Sequence, residues 1–235
     1  MSTLDPVIQG KIRELKLTNM GYRAIAKEVG VADGAVRYFL EHEPVTEVRK
    51  YGAYVWDIET TDFDAGIGSL MVSSFLDLAT GYTDSRTIHS FAGTFKARER
   101  QLAEWTLGKL RDADALIGHN VKAFDRNFLS GVCARQDLPQ PPRRTYIDTM
   151  LIARYGLKGK IGASMANLAD VLGIKGADGE LVNKDKPSKN DWREYIAGDP
   201  EAVKRITVRC EADVYVNALL WERLRGYWYE WKGER

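Results

Sequence analysis

Residues 53–66 read AYVWDIETTDFDAG. Val55, Trp56 and Ile58 are β-branched or aromatic, and turn-forming Asp and Gly residues follow them, which predicts a buried strand running into a loop. Asp57 and Glu59 are two residues apart on that strand, so both side chains leave the same face beside apolar neighbours. Two like charges about 4 Å apart repel by ~4 kcal/mol at an effective dielectric near 20, so such a pair needs cations or protonation to persist. The runs LMVSSFLDLATG (70–81) and RTIHSF (86–91) continue the strand pattern and predict an antiparallel meander.

Downstream, a helix is expected over Arg98–Leu110, then ALIGHN (115–120) as a short buried strand, then VKAFDRNFLSGVCAR (121–135) as a helix with Asp125 near its start. TYIDTM (145–150) is a strand with Asp148 at its carboxyl end, placed to cap a helix beginning at Thr149. SMANLADVLGI (164–174) has the apolar spacing of an amphipathic helix. The last helix opens at Asp199–Pro200 and carries Asp213 among Val214, Val216 and Leu219.

Four segments taken in order, VWDIETT (55–61), IGHNVKAFDRNFL (117–129), YIDTMLIA (146–153) and CEADV (210–214), resemble the motifs of DEDD-type, DnaQ-like 3′–5′ exonucleases of the ribonuclease H-like superfamily. The resemblance covers roughly residues 51–225. DxE or GHN alone would be weak; the ordered set is specific. It implies an α/β fold, a mixed sheet flanked by helices. It also implies four carboxylates, Asp57, Glu59, Asp125 and Asp213, acting in catalysis and holding two divalent cations, Mg²⁺ or Mn²⁺. Hard carboxylate oxygens suit those ions, and two of them ~3.5–4 Å apart can neutralise four acids while gripping a phosphate. The implied reaction is phosphodiester hydrolysis releasing nucleoside 5′-monophosphates from the 3′ end of a nucleic acid. By the same resemblance Thr60, Thr61 and Asn120 contact the terminal nucleotide, and His119 has a modest supporting role.

One position departs from the family pattern. Where these enzymes carry a tyrosine four residues, or a histidine five residues, before the last aspartate, this chain has Arg209 and Val208. Arginine stays protonated and is a poor base, but one helical turn from Asp213 it can pair with a carboxylate or bind a phosphate. Tyr195 and Tyr215 are alternative bases that the spacing does not select. Losing a general base costs about 10²–10⁴-fold, so a slow enzyme is consistent with this sequence. Two rival readings remain: a DNA-binding protein keeping the nuclease fold as a scaffold, and a 3′–5′ exoribonuclease.

Upstream, EHEPVTEVRKYG (41–52) marks a boundary where helical periodicity stops at a proline. The expected organisation is a helical module over 1–43, a linker over 44–51 and the nuclease domain over 52–235. In the module, Val7, Ile8, Ile12 and Leu15, then Tyr22, Ile25, Ala26 and Val29, then Val31, Val36, Phe39 and Leu40 recur at helical spacing. Small Ala26, turning Gly30 and anchoring Val36 resemble the helix-turn-helix of bacterial and phage DNA-binding proteins. That resemblance would place Arg37 and Tyr38 on the groove-facing side, with a DNA duplex or a protein as the module's partner. A three-helix cap or a dimerisation module is the alternative.

Composition sets the limits. Lys+Arg 34 against Asp+Glu 33 leaves a net charge of +1, so any nucleic-acid site is local. Cys133 and Cys210 are the only cysteines, too few for a disulfide framework, which together with the lack of an apolar leader gives a cytoplasmic expectation in a bacterial or phage setting. Charged residues interrupt every apolar run, so no membrane partner is expected. Gly173–Asn190, with Lys175, Lys184, Lys186 and Lys189, reads as a solvated loop able to attract phosphates. Trp221, Tyr227, Trp228, Tyr229 and Trp231 near the carboxyl end either dock on the protein or stack on bases, docking being favoured. His42 and His89 have no partner pattern.

Overall fold

The computed structural model describes residues 4, 5, 8, 11, 12, 15, 20–42, 52–157, 162–175 and 187–233. The chain divides into two compact units, Met1–Glu47 with Lys232–Arg235, and Val48–Trp231. The expected linker at 44–51 lies outside the described residues, as do Val7 and residues 176–186 of the lysine-bearing segment.

In the smaller unit, helices α1 (Tyr22–Val29) and α2 (Asp33–His42) pack around Ile12, Ile25, Ala26 and Val36, all buried. Leu4, Ile8, Leu15, Met20, Val29, Val31 and Phe39 close over them. Gly30 ends α1 in the left-handed region at φ 73°, and its N–H and that of Val31 both reach the Ala26 carbonyl. A side chain with a Cβ would strain that cap, while the small Ala26 keeps the turn tight. Each fully buried Ile or Val contributes on the order of 1.5–3 kcal/mol, so this small core depends on very few residues.

The larger unit is built on a five-stranded mixed sheet of β1 (Ala53–Thr60), β2 (Leu70–Asp77), β3 (Thr83–Thr87), β4 (Ala115–Gly118) and β5 (Thr145–Asp148), in the order β3-β2-β1-β4-β5. The first three strands are the antiparallel meander expected from the sequence; β4 and β5 add parallel to β1. Strand alternation sends Trp56, Leu116 and Tyr146 into one apolar cluster and Val55, Ile117 and Ile147 into another, so both faces of the central strands are covered. Helices α3 (Phe95–Asp112) and α4 (Asp125–Arg135) supply Leu102, Leu107, Phe128 and Val132 to the first cluster.

The remaining helices are a short α5 (Thr149–Leu151) continued by a π turn over Ile152–Gly156, α6 (Met165–Val171), α7 (Lys189–Ala197) and the long α8 (Pro200–Gly233). In α8, Pro200 takes the first turn and Asp199 Oδ1 accepts the Ala202 N–H at 2.9 Å, as the Asp-Pro pair predicts. Its Trp221 and Trp228 are buried with rings 6.0 Å apart, which favours docking over base stacking for that pair.

Three local expectations need correction. The third strand is Thr83–Thr87, not the RTIHSF run, because Ile88–Ser90 closes into a 3₁₀ turn capped by the Thr87 hydroxyl. Lys189 and Asn190 belong to α7, which starts on a capping box in which Ser188 and Asp191 exchange side-chain-to-backbone bonds. His89, for which the sequence shows no partner pattern, has partners at both ring nitrogens: Nε2 lies 2.7 Å from the Tyr195 carbonyl and Nδ1 3.3 Å from Arg98 Nη1. Burial, and then the Arg98 charge, hold its pKa below the usual histidine value against the pull of the Tyr195 carbonyl.

Candidate active site

β1 runs past its parallel neighbour. The β1–β4 ladder ends at Val55 and Ile117, so the outer half of β1, carrying Asp57 and Glu59, meets side chains instead of a strand on that edge. On the other edge the register with β2 slips from Glu59↔Val72 to Thr60↔Leu70, a bulge that leaves Met71 as the extra residue. The freed Met71 carbonyl accepts a 2.8 Å bond from the Tyr195 hydroxyl, and the Leu70 N–H is taken by Glu99 Oε1 at 3.0 Å. The bulge beside Glu59 is therefore pinned from two directions.

Into this edge comes the middle of α8. One carboxylate oxygen each from Asp57, Glu59 and Asp213 lies within 4.8 Å of the others. Arg209, one turn before Asp213, donates from Nε to Glu59 Oε1 at 2.9 Å. Cys210 Sγ stands 3.6 Å from both the Asp57 carbonyl oxygen and Asp57 Oδ2. Burial first, and then the Asp57 and Glu59 charges, push the Cys210 thiol well above the usual value, so it remains a thiol and packs as an apolar spacer.

Asp125 stands apart from this trio. As the first residue of α4 it is buried, and its Oδ1 accepts the Ile58 N–H at 3.2 Å, the backbone group between Asp57 and Glu59. Burial raises its pKa to about 7, with the charges of Asp148 and Glu59 adding to the shift and the N–H groups of Asp125 and Ile58 opposing it. Three of the four expected acids thus converge directly, and the fourth is anchored to the backbone beside them.

The remaining expected contacts are set by the loops. Thr60 Oγ1 donates to the Asp62 carbonyl at 2.7 Å and Thr61 Oγ1 accepts the Ser69 N–H at 2.9 Å, fixing the β1–β2 loop. Asn120 adopts φ 69° and turns the chain after Gly118, where a Cβ would come within 2.5 Å of the Val121 Cβ. His119 Nδ1 lies 3.0 Å from Thr149 Oγ1, which also donates toward Asn217 Oδ1 at 2.8 Å. Asp148 is the cap the sequence suggests, its two oxygens accepting the N–H groups of Asn120, Lys122, Met150 and Leu151. Tyr195 has its hydroxyl spent on Met71, and burial raises its pKa above the tyrosine value, so it is no base. In the smaller unit Arg37 and Tyr38 are exposed on α2.

One feature escaped the sequence reading. Phe63 is 87% exposed in the loop after Thr61, its ring 5.8 Å from that of half-buried Phe124. An aromatic among aspartates in a turn, TDFD, is the only signal the sequence carries for it.

A family model described as the RNase_H superfamily matches residues 54–225, a span that is most of the chain and contains the positions of all four acids. The chain belongs to the RNase_H superfamily. Its five-stranded mixed sheet with flanking helices is the fold that membership implies. Among solved structures, the family B DNA polymerase of the hyperthermophilic archaeon Pyrobaculum calidifontis is similar over 74% of this chain, with a TM-score of 0.54 and 16% identity. That likeness is one of fold, and it covers 24% of the polymerase chain, so this RNase_H-superfamily protein spans about a quarter of its length. No curated protein matches the chain by sequence. Among the described residues, no helix is long and apolar enough to cross a membrane.

The donor set suits a hard divalent cation. Carboxylate oxygens within 4.8 Å, two from one strand face and one from a helix over 150 residues away, match the oxygen ligation of Mg²⁺ or Mn²⁺.

Proposed function

We propose that this protein is a metal-dependent 3′–5′ exonuclease of the DEDD, DnaQ-like type acting on DNA. The observation that carries the reading is the convergence of Asp57, Glu59 and Asp213, with Asp125 held next to them through the Ile58 N–H. Asp57, Glu59, Asp125 and Asp213 would hold two divalent cations, Mg²⁺ or Mn²⁺. Bound there, such ions supply charge neutralisation for the phosphodiester and a water of lowered pKa.

The chain's own residues do the rest. β1, α4 and α8 fix the acids on rigid elements, so little reorganisation is needed when substrate arrives. Thr60 at the end of β1, Thr61 in the loop after it and Asn120 in the turn after β4 orient the terminal nucleotide. Phe63 offers a stacking face for a base, since every base has a π surface. Arg209 keeps Glu59 in place and cannot accept a proton. Hydrolysis breaks the bond between phosphorus and the 3′ oxygen of the preceding nucleotide, leaving the phosphate on the released nucleoside 5′-monophosphate.

The unit expected over residues 1–43 is read as a helix-turn-helix that brings Arg37 and Tyr38 to a DNA duplex, which is why DNA is preferred over RNA as substrate. A cytoplasmic setting accords with the sequence features described above.

The test is incubation of 5′-labelled single-stranded DNA with Mg²⁺ or Mn²⁺. A ladder shortening from the 3′ end, absent in Asp57→Ala, is expected. Retained duplex binding without any shortening would instead mean a DNA-binding scaffold, and preferential shortening of an RNA of equal length would mean an exoribonuclease.

A further inference from the structure

We propose that helix α4 is the mould for the loop between β1 and β2, and that Arg135 in its last turn is a positioning residue that sets how tightly the substrate strand is held. The proposal rests on the exonuclease reading above and concerns what keeps Phe63 and Ile67 of that loop in reach of the strand's bases.

The loop over residues 61–69 first closes on itself. The Thr61 N–H donates to the Ser69 carbonyl at 3.1 Å, Asp62 Oδ1 accepts the Asp64 N–H at 3.0 Å, and Asp64 Oδ1 accepts the Gly66 N–H at 2.7 Å. It then lies along one face of α4. The Phe63 ring meets that of Phe124 just before the helix, and Ala65 lies so close to Gly131 that a Cβ there would come within 2.5 Å of its own. Arg135 Nη1 donates to the carbonyls of Ala65 and Gly68, the second at 2.7 Å. Positions 124, 131 and 135 share a face because their separations are about two and three helical turns.

Arg135 is itself anchored. Its Nη2 donates to Glu99 Oε1 at 2.7 Å, and Glu99, buried on α3, also takes the Leu70 N–H and, through Oε2, Gln136 Nε2 at 2.8 Å. A planar guanidinium can serve two carbonyls and a carboxylate at once; the ammonium of a lysine cannot match that fork.

Held in this way, the loop cannot fold Phe63 and Ile67 down onto the protein, and they stand 87% and 76% exposed. Water is an unfavourable surrounding for two apolar side chains unless a partner covers them. Exposed Asp62 and Asp64 on either side of Phe63 repel phosphates, so the loop suits bases rather than the backbone. Contacts of this kind act equally before and during bond breaking, so they lower KM and leave kcat alone.

The experiment is steady-state kinetics of the full chain on 5′-labelled oligothymidylate with Mn²⁺, beside deuterium exchange of residues 61–69 measured without DNA. Gly131→Ala leaves Arg135 and Glu99 untouched and favours the helix, but its methyl displaces Ala65. KM is expected to rise about three- to tenfold with kcat within about twofold. Adding Ala65→Gly, which leaves the Cα of residue 65 at 3.8 Å from the new methyl, should restore the wild-type KM. Arg135→Lys should raise KM likewise and speed exchange in the loop. Unchanged KM in both variants, or a rise that Ala65→Gly does not reverse, would overturn the positioning role and leave the exonuclease reading standing. Faster exchange with unchanged KM would overturn it as well, because the clamp would then serve the fold alone. No 3′ shortening by wild type would sink both readings.

Discussion

Asp148 and the Asp57–Glu59–Asp213 group are acids gathered at the same sheet, and their surroundings follow opposite rules. Asp148 is buried, yet both its oxygens are occupied by backbone N–H groups from Asn120, Lys122, Met150 and Leu151. Four donors aimed at one carboxylate satisfy it completely, and in return it ties the β4–α4 connection to the start of α5. Asp57, Glu59 and Asp213 are less deeply covered, but their oxygens lie within 4.8 Å of one another. Among them, Glu59 takes a strong cationic donor, Arg209. One acid holds the fold together through dipoles; the others are crowded by like charge and suit a partner of high positive charge. Asp125 lies between the two cases, bonded to one backbone N–H and pushed up to about 7 by its burial.

The largest expected effect is on catalysis. Asp57→Asn should lower the rate of 3′ shortening by about 10³-fold or more, since it removes a ligand where transition-state charge is stabilised. The same change relieves repulsion, so the melting temperature without divalent ions should stay level or rise. Asp148→Asn should do the reverse. An amide presents a single acceptor oxygen and places its NH₂ against backbone donors, costing about 2–4 kcal/mol of stability, read as a lower urea midpoint. Mn²⁺ should still bind the folded fraction of that variant. If Asp148→Asn lost the metal while keeping its stability, the division between the two kinds of acid would be wrong.

A smaller effect tests the intermediate case. Because the folded-state pKa of Asp125 is raised from 3.8 to about 7, the folded chain binds more protons than the unfolded one between those values. The stability this group contributes is therefore full below about pH 4 and is lost as pH rises toward about 7. In EDTA, the difference between urea midpoints at pH 5 and pH 8 should be larger in wild type than in Asp125→Asn, which cannot titrate. A pH dependence identical in the two proteins would show that Asp125 is ionised throughout.

Much of this contrast was readable from the residues. A DxE pair on a strand, an aspartate opening a helix and another midway along the last helix fix the acids because strand and helix periods dictate which side chains share a face. Asp148 before Thr149 reads as a cap for the same local reason. What escaped depends on tertiary context. β3, read TDSRT, is an edge strand with partly exposed polar side chains, and so lacks the apolar alternation that marks a strand. Helix α7 was hidden by the Gly- and Lys-rich stretch before it, although Ser188 and Asp191 already spell a capping box. The bulge at Met71 is invisible in sequence, because register is settled by what meets the strand from outside, here Tyr195 and Glu99.

That bulge supplies the smallest effect. Tyr195 was a conceivable substitute for the missing base, but its hydroxyl is buried and donates to the Met71 carbonyl. Tyr195→Phe should cost about 1 kcal/mol, the usual net value of one buried hydrogen bond, somewhat more if the carbonyl is left without a donor. Because the bulge sits next to Glu59, a modest change in rate is expected as well, within about twofold, by a slight shift of that carboxylate. The shape of the pH–rate profile distinguishes the two roles. A structural tyrosine leaves it unchanged, whereas removal of a general base would erase the limb that the base controls. Loss of a limb in Tyr195→Phe would place a proton acceptor behind the acids and would require Tyr195 to exchange its Met71 bond for a water during turnover.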